Sequence, residues 1–192
     1  MNSPILPGRS CGPCTLCCKV LKISELAKPQ GVWCVHCKPG RGCTIYATKP
    51  AECTTFFCGY LTNSHLSEEW QPIRSKIVVT PELDGNRIAV HVDPQRADAW
   101  RREPYYSQLK EWATSAVPYR GQVVACVSRH MFMVFPDRDV DLGIVDDDHL
   151  IVTGERTTPF GVKLEAFLLH KDDPKAKTLV EQQWAVHTTK SR

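Results

Sequence analysis

The stretch SKIVVTPELDGNRIAVHV, residues 75–92, carries the reading of the fold. Two runs rich in Val and Ile flank Asp84-Gly85-Asn86. A turn of that composition between β-branched runs predicts a β-hairpin. Asp93-Pro94 ends the second strand, because proline has no N–H for a ladder. Next, RADAWRREPYYSQLKEWATSAV (96–117) predicts a helix over 106–116. Pro104 breaks any longer helix, and Trp100, Leu109, Trp112 and Val117 are the expected apolar contacts.

GQVVACVS (121–128) and HMFMVFP (130–136) read as strands, and so does HLIVTGERT (149–157). FGVKLEAFLLH (160–170) fits a strand or a helix. Strand, strand, helix and then several strands predict an α+β domain over 71–170, built on an antiparallel sheet. The tail, 171–192, has room for a short helix after Pro174, with Leu179, Val180 and Trp184 on one face.

Residues 1–70 have a different composition. Nine of the chain's ten cysteines lie between Cys11 and Cys58, and the tenth is Cys126. Gly, Pro and Thr are frequent and long apolar runs are absent, so this part cannot build much of a core. A unit so poor in apolar residues is ordinarily held by a cross-link or a metal.

Within CGPCTLCC, residues 11–18, Pro13 suits a first helical turn. On a helix, positions 11, 14 and 18 fall within about 60° of one another, and Cys17 widens that face to about 120°. The expected picture puts Cys11 in the entering loop and Cys14, Cys17 and Cys18 on the first two turns. A helix start also favours thiolate. The adjacent Cys17 and Cys18 point about 100° apart, which suits two sites or one polynuclear site. WCVHCKPGRGC then supplies Cys34, Cys37 and Cys43 around a Gly40-Arg41-Gly42 turn, and ECTTFFC supplies Cys53 and Cys58.

Pairs of thiols a few residues apart are what a tetrahedral sulfur site requires, and soft thiolates select zinc, copper(I) or iron–sulfur clusters. The expected metal ligands are therefore Cys11, Cys14, Cys17, Cys18, Cys34, Cys37, Cys43, Cys53 and Cys58. For a single site the choice falls on Cys14 and Cys18 with two of Cys43, Cys53 and Cys58. His36 could replace a thiolate. A disulfide set is the competing explanation, weakened by the odd count of nine. Zinc is the expected cofactor, with iron or an iron–sulfur cluster as the alternative. Cys126, inside VVACVS, reads as a core position.

These residues also resemble a known family. CGPCTLCC, LAKPQGVWCVHC and GCTIYATKPAECTTFFCGYL follow one another as in the CxxCxxCC cysteine-cluster family, described as a zinc- or iron-chelating domain. The resemblance covers roughly residues 11–61. Lys49 stands where an arginine is usual before Pro50, and Tyr60 where a tryptophan is common. One relative implied by the motif is a lysine methylase acting on flagellin, whose cluster is thought to hold iron–sulfur. Nothing in residues 72–192 carries that activity over.

Other classes are disfavoured. Residues 1–70 hold seven Lys/Arg against four Asp/Glu, and the remainder holds 17 of each, so no nucleic-acid footprint is expected. Metal-bound thiolates would cancel even that small excess. No apolar run approaches the roughly 18 residues of a transmembrane helix. The N-terminus lacks the pattern of a secretory signal, so a cytoplasmic location is expected. DRDVDLGIVDDD (137–148) spaces Asp137, Asp139, Asp141 and Asp148 as in a calcium loop, but Leu142 occupies the glycine position, and a charged strand edge explains it better. Cys126 and His130, four apart in an expected strand, are too distant for a nucleophile pair. No catalytic motif is recognised. The function expected is a metal-binding protein with structural zinc, whose α+β part offers a surface to a protein partner. The alternative is an iron–sulfur protein with a redox, sensing or methyltransferase-related role.

Overall fold

The computed structural model describes residues 5–159, 161–176 and 178. From the N-terminus come helix α1 (Cys17–Val20), a small hairpin of β1 (Cys37–Lys38) and β2 (Gly42–Cys43), then helices α2 (Ala51–Thr55), α3 (Gly59–Thr62) and α4 (Pro72–Ser75). They are followed by β3 (Ile77–Glu82), β4 (Arg87–Val92), α5 (Tyr105–Ala116), β5 (Gln122–Val127), β6 (His130–Val134), β7 (Asp139–Ile144), β8 (His149–Thr158) and β9 (Gly161–His170). The class is α+β, as the pattern predicts.

Five strands form one sheet in the order β3-β4-β5-β6-β7. Three of its pairings are antiparallel, but β4 and β5 run parallel. The expectation of an antiparallel sheet is corrected at this one place. The reason is α5, which crosses over the sheet and returns the chain to the end where β4 began. The ambiguous segment 160–170 contains strand β9, paired with β8 from His149↔His170 to Thr158↔Gly161. The acidic segment forms the edge strand β7. The helix expected in the tail falls almost wholly outside the described residues.

Both faces of the sheet are covered. Ile77, Val79, Val90, Val92, Val123, Ala125 and Val134 meet Leu109 and Ala113 of α5, together with Trp70 and Trp100. Trp70 is fully buried, with Trp112 stacked on it at 5.0 Å. On the other face Ala89, Val124, Cys126 and Met133 pack beneath Ile151, Leu164, Ala166 and Leu168 of the β8–β9 hairpin. Cys126 is thus a core residue. Ser128 turns the chain between β5 and β6 with φ 55, so Cys126 and His130 lie on neighbouring strands, not on one. His130 pairs with Val127 and stacks on Phe132, on the face opposite Cys126.

The cysteine-rich half docks at the β3–β4 side of the sheet. Val78 joins Leu16, Val20, Cys58, Tyr60 and Leu61 in a small cluster of its own. Gln30 hydrogen-bonds His91 Nδ1 at 3.1 Å, and Thr80 meets His91 Nε2 at 2.9 Å. Gly31, at φ +80, lets its loop press on the β5–β6 turn: a Cβ there would lie 2.0 Å from Ser128 Oγ. Among the described residues no helix is long and apolar enough to cross a membrane.

Candidate metal centre

Nine cysteines line a single cavity of about 670 Å³: Cys11, Cys14, Cys17, Cys18, Cys34, Cys37, Cys43, Cys53 and Cys58. Four separate segments bring them there. Cys11 and Cys14 sit on a turn closed by Cys14 N–H on the Cys11 carbonyl at 2.9 Å. Helix α1 starts only at Cys17, so Cys14 precedes it; the expected two helical turns shrink to one. Gly12 at φ +50, next to Pro13, makes the separate turn that delays it.

Cys34 is anchored by its N–H on the Cys18 carbonyl at 3.0 Å. Cys37 and Cys43 are paired across the β1–β2 hairpin. Its turn is tied back to the first loop, since Gly40 N–H donates to Thr15 Oγ1 at 3.1 Å. Cys53 lies in α2 and Cys58 immediately precedes α3. Two glutamates brace α2, and Glu52 itself lines the cavity. Ser24 N–H donates to Glu52 at 2.7 Å, and Glu52 N–H donates to Glu25 at 3.0 Å.

The wall has two arcs. Cys11 and Cys14, on one turn, and Cys58, which packs with Cys14 in the Val78 cluster, form the first arc. Cys34, Cys37, Cys43 and Cys53 form the second arc, with Cys18. The Cys17-Cys18 doublet stands at the junction. Cys17 packs on the Val20, Cys58 and Val78 cluster, whereas Cys18 shares thiol hydrogen bonds with Cys17 and Cys37. Cys18 also acts on Cys11 and Cys14, so it reaches both arcs.

The expected help from a helix start is outweighed by burial at Cys14, and α1 has only four residues. The hydrogen bond with Cys17, then burial, pushes the Cys18 thiol far above its ordinary value. Burial pushes Cys37 up to about 11, helped by the charge of Cys18. Burial also raises Cys11, Cys14, Cys53 and Cys58. Backbone N–H groups of Leu16 and of Leu61 and Tyr60 offset part of this at Cys14 and Cys58. A metal entering here must displace protons.

All ten cysteines are free thiols. The donor chemistry fits a thiophilic metal, with soft sulfur on every side of the cavity. The spacing is wider than one zinc needs. Four thiolates on one zinc sit about 3.8 Å apart, given Zn–S bonds of about 2.3 Å. Among the described residues, the one set of three donors within 4.8 Å of one another contains no cysteine; it is Asp146, Asp148 and His149. Those groups are already engaged, Asp146 by Arg129 and Asp148 by His149 and His170. Nor do the acidic positions of β7 converge: Asp139 pairs with Lys110 at 2.7 Å and Asp141 with His130 at 2.6 Å.

His36 also lines the cavity, its carbonyl held by Thr44 N–H at 2.8 Å. Lys49 and Tyr60, the two departures from the motif that the sequence resembles, find local roles. Lys49 lies over the Tyr46 ring at 4.2 Å and its charge favours the Cys11 and Cys53 thiolates. Tyr60 donates its hydroxyl to Glu68 at 2.8 Å while Arg9 covers its ring. Sequence reading missed the supporting residues Thr15, Glu25, Glu52 and Lys28. Nothing in their spacing sets them apart, because each acts on a segment distant along the chain.

Comparison with known proteins returns no matching family model, no matching curated protein and no matching solved structure.

Proposed function

We propose that residues 11–58 form a metal–thiolate centre that holds the N-terminal half of the chain folded. One observation carries this: nine thiols from four segments line a single cavity. The apolar cluster beneath them is small and borrows Val78 from the sheet, so a metal has a stabilising task to perform. Zinc as two structural sites is the first form of this reading, one ion for each arc of the wall. Cys18, at the junction, is the thiol that this reading lets serve either arc.

The spacing of the sulfurs favours a second form, an iron–sulfur cluster. In a four-iron cluster each thiolate binds its own iron at a separate corner, so the sulfurs stand further apart than around one zinc. Free thiols throughout suit a reducing compartment. The sheet half would then offer an interaction surface, with Leu83, Tyr119, Ile144, Val162 and Phe167 among its exposed apolar positions.

Anaerobic purification with metal analysis, sulfide analysis and a visible spectrum tests both forms. Two zinc ions per chain and no colour support the first. Iron with matching sulfide and a brown colour supports the second. A chain purified with neither metal, and unable to take either up, overturns the proposal.

A further inference from the structure

We propose that Lys28 is the fixed counter-ion of the thiolate centre, a buried cation placed to balance the excess negative charge of metal-bound Cys17, Cys18, Cys34 and Cys53. The inference rests on the metal–thiolate reading above and adds a charge-balancing residue to it.

Lys28 is only 6% exposed. Its Nζ donates to the carbonyl oxygen of Lys19 at 2.9 Å and to that of Leu21, at the C-terminal end of α1. Among the described residues no carboxylate pairs with it. Among the described residues the other buried lysine, Lys19, is treated differently, because Asp93 meets it at 2.6 Å. A buried ammonium satisfied only by carbonyls leaves its charge uncompensated, which is costly in a protein interior. The carbonyls that hold it follow Cys17 and Cys18 at the end of α1, and Cys34 N–H is bound to the Cys18 carbonyl. Burial lowers the Lys28 pKa, and the side chains that oppose this are, in order, Cys34, Cys18, Cys17 and Cys53. They belong to the second arc of the cavity wall and to the doublet. A metal held by several thiolates carries excess negative charge, and Lys28 supplies the opposite sign from behind the wall.

The position is built into the backbone. Ile23 and Lys28 exchange both N–H···O bonds at 3.0 Å, closing the Ser24–Leu26 turn, with Ala27 at φ 46. The ammonium is therefore fixed before metal arrives, and no reorganisation is needed to use it. The hydrogen bonds to the α1 carbonyls could by themselves explain a structural cap. A variant that keeps the donors but drops the charge separates the two roles.

The test is chelator competition for the metal retained by the purified, metal-loaded chain, run on wild type, Lys28→Gln and Lys28→Arg, with folding checked by circular dichroism. Gln can still donate to the carbonyls, whereas Arg keeps the charge. The expected result is metal lost at least about tenfold more readily from K28Q, with K28R close to wild type. K28Q that folds and holds its metal as tightly as wild type overturns the counter-ion role and leaves the metal reading standing. Wild-type protein that holds no metal overturns both. Should K28Q fail to fold, Lys28→His decides, because its imidazole keeps a donor whether charged or neutral: retention that drops about tenfold relative to wild type as the imidazole loses its charge supports the charge role, and a constant ratio to wild type across that pH range overturns it.

Discussion

Lys19 Nζ lies 2.6 Å from Asp93 Oδ1, and both side chains are almost wholly buried. Lys19 belongs to α1, the helix that carries Cys17 and Cys18, and Asp93 is the residue just after β4. Lys19 also reaches Gln95 Oε1 at 3.0 Å and lies beside the Trp33 ring. The pair therefore joins the thiolate cavity to the sheet through one buried charge contact. Asp93→Asn leaves an uncompensated ammonium at this joint and should cost about 3 kcal/mol. Urea denaturation measures it. A double variant, Lys19→Met with Asp93→Leu, should lose much less, because no charge is then stranded.

Removal of the metal should loosen residues 11–58 and spare the sheet. Lys19 is 4% exposed, so trypsin cannot reach the bond after it in the folded chain. Chelation should open that bond to cleavage while the near-ultraviolet signal of Trp70 and Trp100, both fully buried in the sheet core, persists. Equal digestion before and after chelation would count against a folding role for the metal.

The ten cysteines should divide nine to one. Cys126→Ala removes a buried thiol from beneath the β8–β9 hairpin and should leave metal content unchanged. Cys37→Ala should lower metal content, because Cys37 faces the cavity across the hairpin from Cys43. Elemental analysis of the two purified variants decides the matter. Folded Cys126 should also resist alkylation, since burial pushes its thiol up to about 12.

Stability should fall in acid through Glu82. Burial alone would raise its carboxyl, but the hydrogen bond and charge of His91, with Arg87, outweigh it and hold the group below its ordinary value of 4.5. A carboxyl depressed in the folded state contributes stability that is present above its unfolded pKa and is lost as pH falls through the folded one. Thermal melts at a series of pH values below 4.5 should show that loss, and Glu82→Gln should flatten the curve over the same window.

The seat of α5 should depend on Leu109. That side chain is fully buried between the helix and the sheet. Leu109→Ala should cost about 3 kcal/mol through lost burial and the cavity it leaves. Chemical denaturation measures it, and Thr114→Ala on the exposed side of the same helix should change stability by less than about 0.5 kcal/mol.

Much of this protein is legible along the chain. Hydrophobic period, the Asp84-Gly85-Asn86 turn and Pro104 determine the β3–β4 hairpin and the helix Tyr105–Ala116, because these are contacts between near neighbours. The candidate sulfur site is equally local, since nine cysteines between Cys11 and Cys58 stand out without any fold. Only the tertiary structure decides the rest. It sets β4 parallel to β5, because the direction in which a crossover helix returns is not written in the strands themselves. It decides what the diverging Cys17 and Cys18 meet, the apolar cluster for one and Cys37 for the other, because those neighbours come from distant segments. It also brings Lys19 to Asp93, Ser24 to Glu52 and the Lys28 ammonium to the α1 carbonyls, contacts that no local pattern announces. Periodicity reports which face of an element is apolar. Which charge ends up behind which thiol depends on how those faces dock.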